Sequence, residues 1–253
     1  MSALVDQLVA QVIGLEVGLL SCQARLAAVT DDEALHDLRT TVRRLRSLLR
    51  PLRGLPGVEH LELAASTVGQ LTTPLRDREV LAAYLHQHGH HDAADRRLRL
   101  QPDAYRQVAQ GPELAHLLQI LDAFPRFIRA SQHQKLLKGL RLRIEKRLAK
   151  QWQKLDEALK DPSHDRHRLR LLIKRVRYAA EAYPELDKLP AKALSRLKDA
   201  QGALGDWHDC WQWLAQAEHQ ADLQPCVAVW HRTMVKAEGQ ADRVLDKLSV
   251  DCF

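Results

Sequence analysis

The sequence predicts an all-α protein, and three observations carry that reading. Its 253 residues are 45% apolar but only 5% aromatic. The apolar share is mostly Leu and Ala, which favour helices over strands. Helical periodicity runs through almost every segment. The interruptions are short clusters of Pro, Gly or Asp: PLRGLPG (51–57), QHGHHD (87–92), QGPE (110–113), KDPSHD (160–165) and AYPELDKLP (182–190).

Taken in order, residues 3–28 contain LVAQVIGLEVGLL, which has the apolarity of a signal sequence. No Lys or Arg precedes it, Asp6 and Glu16 interrupt it and no A-x-A site follows, so it reads as the first amphipathic helix. No apolar run is expected to reach the length of a membrane span. The next segments are 32–52, 58–71 and 75–87, parted at Pro74, then 92–99, 103–123, 125–159, 164–182, 190–204, 207–221 and 224–249. Some of these merge, leaving eight or nine helices. Cys22, Cys210, Cys226 and Cys252 are scattered without a C-x-x-C pair and read as free thiols of a reducing cytoplasm.

Charge is distributed unevenly. Residues 1–125 carry a net −2 and residues 126–253 a net +8, within a total of +6. Even the acidic part has five arginines against one acid between residues 36 and 50. Concentrated positive charge argues for an anionic partner.

A repeat sharpens this. HDLRTTVRRLR (36–46) and HRLRLLIKRVR (167–177) superpose at an offset of 131, aligning His36 with His167, Arg39 with Arg170, Arg43 with Lys174 and Arg46 with Arg177. Downstream, LTTPLRDREVLAAYL (71–85) aligns with GALGDWHDCWQWL (202–214) at an offset of 129, pairing Leu75 with Leu204 and Asp77 with Asp206. Two four-helix-bundle-like halves, 1–123 and 124–253, related by a pseudo-twofold, are the predicted architecture.

Advancing about 100° per residue from His36 puts Arg39, Arg43, Arg46 and Arg50 in one sector roughly 80° wide. Leu35, Leu38, Val42, Leu45, Leu49 and Leu52 take the neighbouring sector and predict a core face. In the second copy His167, Arg170, Lys174 and Arg177 flank Leu169, Ile173, Val176 and Ala180. Arg44 and Arg175 fall outside the cationic sector. Like charges three and four apart repel by some tenths of a kcal/mol per pair, so an external polyanion, or solvent, supplies the counter-charge. Arginine suits the first case, because its planar fork donates bidentately to phosphate. A third basic stretch, HQKLLKGLRLRIEKRLAK (133–150), predicts a helix with Leu137, Leu140, Ile144 and Leu148 inward and Lys135, Lys138 and Lys146 outward. Residues 3–28 carry only Arg25, so the two halves are expected to bind unequally.

The pattern H-x-L-R-x-x-x-[RK]-R-x-R, present twice and followed by LRDREV and ALGDWHD, resembles the conserved histidine α-helical domain (CHAD) family over nearly the whole chain. The resemblance implies an all-helical fold of two four-helix bundles and a basic groove that binds inorganic polyphosphate without catalysis, in the cytoplasm and in association with polyphosphate granules. Carried over by position, it assigns His36, Arg39, Arg43, Arg46, His167, Arg170, Lys174 and Arg177 to the anion-binding surface. Arg76 matches as well; its counterpart is Gly205, so that contact is expected to be missing or to be supplied elsewhere, by Lys198. The E-x-E-x-K signature of the companion triphosphate-tunnel domain is absent, which implies the stand-alone form. Arg50, Lys135 and Lys138 complete the expected set.

Two other readings stay open. Nucleic acid would be drawn to the same stripes with weak, salt-sensitive affinity, although few aromatics flank them for stacking. An enzyme acting on polyphosphate would need acids, for which Asp77, Glu79, Asp206 and Asp209 are the candidates; Asp77 and Asp206 read instead as helix caps or partners of the basic residues. The histidines of HQHGHHD (86–92) lack a second ligand cluster, and no metal or cofactor is expected. Trp207, Trp211 and Trp213 read as packing residues.

Overall fold

Leucine at helical spacing, broken only by short turns, produces ten α-helices and no strand among the described residues of the computed structural model, namely 3–99, 101–161, 163, 165–187 and 189–252, with side chains described up to 248. The chain divides into two compact units, Met1–Arg143 and Ile144–Phe253. The division falls later than the boundary expected at 123/124.

In the first unit, α1 (Ala3–Ala28) buries Val5, Leu8, Val12, Leu19 and Leu26. By length and composition α1 could cross a membrane, which corrects the expectation that no segment reaches that size. Here one of its faces packs on α2 (Ala34–Leu49) and α6 (Pro112–His133). Val29 adopts a left-handed φ of 52° and ends α1. Arg25 then bridges to Asp31 at 2.7 Å and Asp37 at 2.8 Å, fixing the entry into α2. All six apolar residues expected on the inner face of α2 and the turn after it, Leu35 through Leu52, are at most 2% exposed.

The expected break at Pro74 does not occur: α3 runs unbroken from Val58 to Gln87. Proline removes one N–H from the ladder and crowds the preceding turn, a cost that packing against α2 and α6 offsets. Pro125 is likewise absorbed inside α6. Between them lie α4 (His91–Leu98) and α5 (Gln101–Gln110), and Gly111 separates α5 from α6, so the segment expected at 103–123 is divided at the QGPE break. Residues 134–139 are a turn rather than helix, because Lys135 and Gly139 both take positive φ, 61° and 68°. Lys135 and Lys138 therefore sit on a turn of the first unit, which corrects their assignment to a helix of the second half.

The remaining helices are α7 (Leu140–Leu159), α8 (Arg166–Ala182), α9 (Ala191–Ala217) and α10 (Gln224–Cys252). In the second unit Leu155, Ile173, Val176, Leu197, Leu204 and Leu245 form the centre of one core. Asp165 caps α8 by accepting the His167 N–H at 2.8 Å. The two segments expected at 190–204 and 207–221 are a single α9, since Gly205 costs only about 1 kcal/mol inside a helix whose flanking Leu204 and Cys210 are buried. Asp77 and Asp206 consequently lie within α3 and α9, and neither is a helix cap. Cys22, Cys210 and Cys226 are buried free thiols; Cys252 lies outside the described side chains.

Candidate anion-binding surfaces

In the first unit the cationic residues of α2 stand beside its buried face. His36 and Arg44 are exposed, and Arg39, Arg43, Arg46 and Arg50 are half-buried. Arg39 is fixed by α3: its Nη1 donates to the Gly69 carbonyl at 3.1 Å, to Thr72 Oγ1 at 3.0 Å and to Thr73 Oγ1 at 3.1 Å. None of these acceptors carries charge. Burial and the neighbouring Arg43 and Arg76 hold the Arg39 guanidinium below its ordinary pKa, while Asp77 and Glu79 oppose them. Arg43 Nη2 donates to another neutral oxygen, Thr40 Oγ1, at 3.1 Å. Arg46 lies over Gly69, where a methyl group would meet its Nη1 at 3.6 Å, and its Nε is buried without a hydrogen-bond partner. Arg50 opens the 3-10 turn that follows α2.

Arg76, expected beside this stripe, is there but already engaged. It donates to Glu79 at 2.7 Å, and Glu79, 8% exposed, also accepts from Tyr105 and from Gln101 at 3.1 Å. This buried acid and the three groups around it close the floor of a cavity of about 460 Å³ rimmed by Asp32 and Glu33. Lys135 and Lys138, both exposed, border a different cavity of about 550 Å³ at the start of α1, with Gln132 and Arg141.

In the second unit His167 and Arg175 are exposed, and Arg170, Lys174 and Arg177 are half-buried. Arg177 turns to α9, donating to Gln201 Oε1 at 2.8 Å, pairing with Glu181, and lying 4.3 Å from the centre of the Tyr178 ring. Lys198 is exposed on α9, one turn before Gln201.

The group that α9 presents to the head of the stripe is His208, which the sequence reading passed over. It is 7% exposed, its Nδ1 has no hydrogen-bond partner, and its ring centre is 5.3 Å from that of His167. Burial, and then the charges of Arg170, His167 and Lys174, push its pKa down to about 4. The offset of 129 that aligns Asp77 with Asp206 also aligns Glu79 with His208, and this was the available signal. Each faces a basic residue three positions after a histidine: Glu79 adds to the field at Arg39, and Arg170 to the field at His208.

The tryptophans separate by role. Trp213 is buried against Trp230, ring centres 5.5 Å apart, and Trp207 donates to Glu238 at 3.2 Å. Trp211 is 53% exposed and lies parallel to His208, so the packing reading does not cover it. In the 86–91 stretch His86 meets His91 edge to face and His88 stacks on Tyr84. Among the described residues no group of three or more His, Cys, Asp or Glu is placed to hold a metal ion.

The family model of the CHAD domain matches residues 15–218, from within α1 to the end of α9. Among solved structures, the crystal structure of the CHAD domain from the plant Ricinus communis aligns with a TM-score of 0.72 and 21% sequence identity, covering 98% of this chain and 91% of that one. At this identity the likeness is one of fold. No curated protein matches. With both histidine helices and the long helix that packs on each inside the matched span, the chain belongs to the CHAD domain family.

Proposed function

We propose that this protein binds inorganic polyphosphate, without catalysis, through the basic faces of α2 and α8. The observation that carries the reading is the anchoring of Arg39. Three neutral oxygens hold a half-buried guanidinium in place; Asp77 and Glu79 offset part of its charge, and the rest is offered to an outside anion. A structural ion pair would have used a carboxylate, as Arg76 does. His36, Arg43, Arg46, Arg50, His167, Arg170 and Lys174 extend the two surfaces, while Arg76 and Arg177 spend much of their charge on Glu79 and Glu181. Lys135, Lys138 and Lys198 contribute long-range attraction. Polyphosphate is a flexible chain of charged units without bases, so dense donors suffice to hold it.

The acids also favour binding over turnover. Of the four candidate acids Glu79 is the buried one, and it is committed to Arg76, Gln101 and Tyr105. Nucleic acid shares the phosphate chemistry and is the competitor to exclude. In a competition titration at physiological salt, long-chain polyphosphate should displace duplex DNA and not the reverse. The double variant Arg43→Gln/Arg46→Gln should weaken polyphosphate binding by about a hundredfold or more, since hydrogen bonds to charged groups contribute roughly 1.5–3 kcal/mol each. Equal competition by DNA, or an unchanged affinity in the double variant, would overturn the reading.

A further inference from the structure

On α9 an aromatic surface adjoins the second set of cations, and a ligand made only of phosphate has no use for it. Trp211 is 53% exposed, and its indole lies 5.8 Å from the His208 ring with the planes 16° apart. His208 in turn stands 5.3 Å from His167, which is exposed at the head of the α8 stripe. The indole thus has a near-parallel buried imidazole beside it, and the His167 ring, tilted 50° to that imidazole, continues the row towards the cations of α8. Arg170 and Lys174 are the charged neighbours of His208 from α8.

A tryptophan leaves half its surface in water at a cost, and beside cations its outer face is a platform for a flat ring. Two of the carboxylates around this end of the unit are already paired. Glu238 and Asp242 of α10 pair with Arg166, at 3.8 and 2.9 Å, and Glu238 also accepts from Trp207. On α9 Asp206 is exposed and Asp209 half-buried, and both add to burial in raising the pKa of the Cys210 thiol, so they are the carboxylates that an anion here has to outweigh. His208 is neutral at pH 7, because burial and its cationic neighbours keep it so; the stack therefore adds no further positive charge beneath the indole.

We propose that the second unit takes nucleobase-bearing polyphosphates, with the base on the outer face of Trp211 and the phosphates on His167, Arg170 and Lys174. Two ring-to-ring steps of 5.8 and 5.3 Å lead from the platform through His208 to the first histidine, which bounds their separation within the span of a nucleoside triphosphate. The inference rests on α8 being a phosphate-binding helix and adds to it a contact that inorganic polyphosphate cannot make.

The experiment compares ATP, inorganic tripolyphosphate, a single-stranded hexanucleotide and long-chain polyphosphate by calorimetry in EDTA, on the full chain and on Trp211→Ala. Stacking of one base predicts ATP about tenfold tighter than tripolyphosphate. Trp211→Ala should bring ATP to the tripolyphosphate level and leave tripolyphosphate unchanged, with Trp211→Phe in between. Equal affinity for ATP and tripolyphosphate in the unaltered protein, or equal weakening of both in Trp211→Ala, would sink the proposal. A hexanucleotide that outbinds ATP through Trp211 identifies the base as that of a single strand; if it does not, the free nucleotide is the source, and the site stands in either case. Trp211-dependent ATP binding without any binding of long-chain polyphosphate would overturn the polyphosphate reading and keep this one.

Discussion

The guanidinium of Arg39 donates to one backbone carbonyl and two threonine hydroxyls, acceptors that set its position without cancelling its charge. Close by, Glu79 brings a buried negative charge that Arg76 answers. Replacing Glu79 with Gln should therefore act in two directions. Loss of the ion pair with Arg76, with the remaining amide oxygen still accepting from Tyr105, should cost about 2 kcal/mol of stability, read as a lower urea midpoint. Polyphosphate affinity at low salt should rise by roughly threefold, because a charge that offsets Arg39 and Arg76 has gone. His208 carries the matching prediction for pH. Its folded pKa, about 4, lies below the ordinary histidine value of roughly 6.5, so the unfolded chain binds more protons between those values. Stability is then fully present above about pH 6.5 and is lost as pH falls towards 4, at up to ~1.4 kcal/mol per unit. Denaturation across that window should show His208→Gln with a flatter profile than the unaltered protein. The stripe of α2 was legible because helical angle and residue type suffice to define it. Glu79 was named only as a candidate acid and His208 was passed over, because what marks them is burial and the charge of a neighbouring helix, which leave no local pattern beyond their shared offset.

Whole elements were legible where periodicity decides and obscure where packing does. Helix α2 has an apolar sector and a cationic sector side by side, and both follow from spacing alone. The continuity of α3 through Pro74 and of α9 through Gly205 does not, since each depends on partners that outweigh a local breaker. The reverse error arose at 134–139, where leucines and lysines at helical spacing hide two left-handed residues. Threonine in α3 illustrates how packing and site are joined. Thr72 is fully buried, back-bonds to Val68 at 2.8 Å and accepts from Arg39. Thr72→Val preserves the shape and removes that acceptor, so α2 should remain docked while Arg39 loses part of its anchor. We expect destabilisation of about 1 kcal/mol together with a several-fold loss of polyphosphate affinity, measured by thermal melting and titration on the same sample. Charge reversal at Arg39 is a poorer test, because it would set a carboxylate against the Gly69 carbonyl and both hydroxyls.

For the molecule as a whole, the two basic faces should contribute unequally, but for a reason other than the count of cations along the chain. The basic stretch 133–150 suggested a stronger second half; in the structure Lys135 and Lys138 belong to the first unit, and Arg177 of the second is tied to Glu181 and Gln201. The α2 face holds Arg39 and Arg43 by neutral acceptors, whereas the α8 face relies on Arg170 and Lys174 with a neutral His208 behind them. Salt dependence separates these contributions. Each phosphate neutralised releases counterion, and for a single-stranded polyanion the log–log slope changes by about 0.7 per contact. Arg43→Gln/Arg46→Gln should therefore reduce the slope by about 1.4, and Arg170→Gln/Lys174→Gln by a similar amount if both remain in contact. The intercepts should differ: the α2 pair should cost more affinity at every salt concentration, because Arg43 and Arg46 stand beside an arginine that neutral acceptors already hold in place, so less ordering is left for the phosphate to impose. Titration of one long polyphosphate across a salt series against the two double variants measures slope and intercept together. Equal slopes with a larger loss for the α8 pair would place the main contact on the second unit instead.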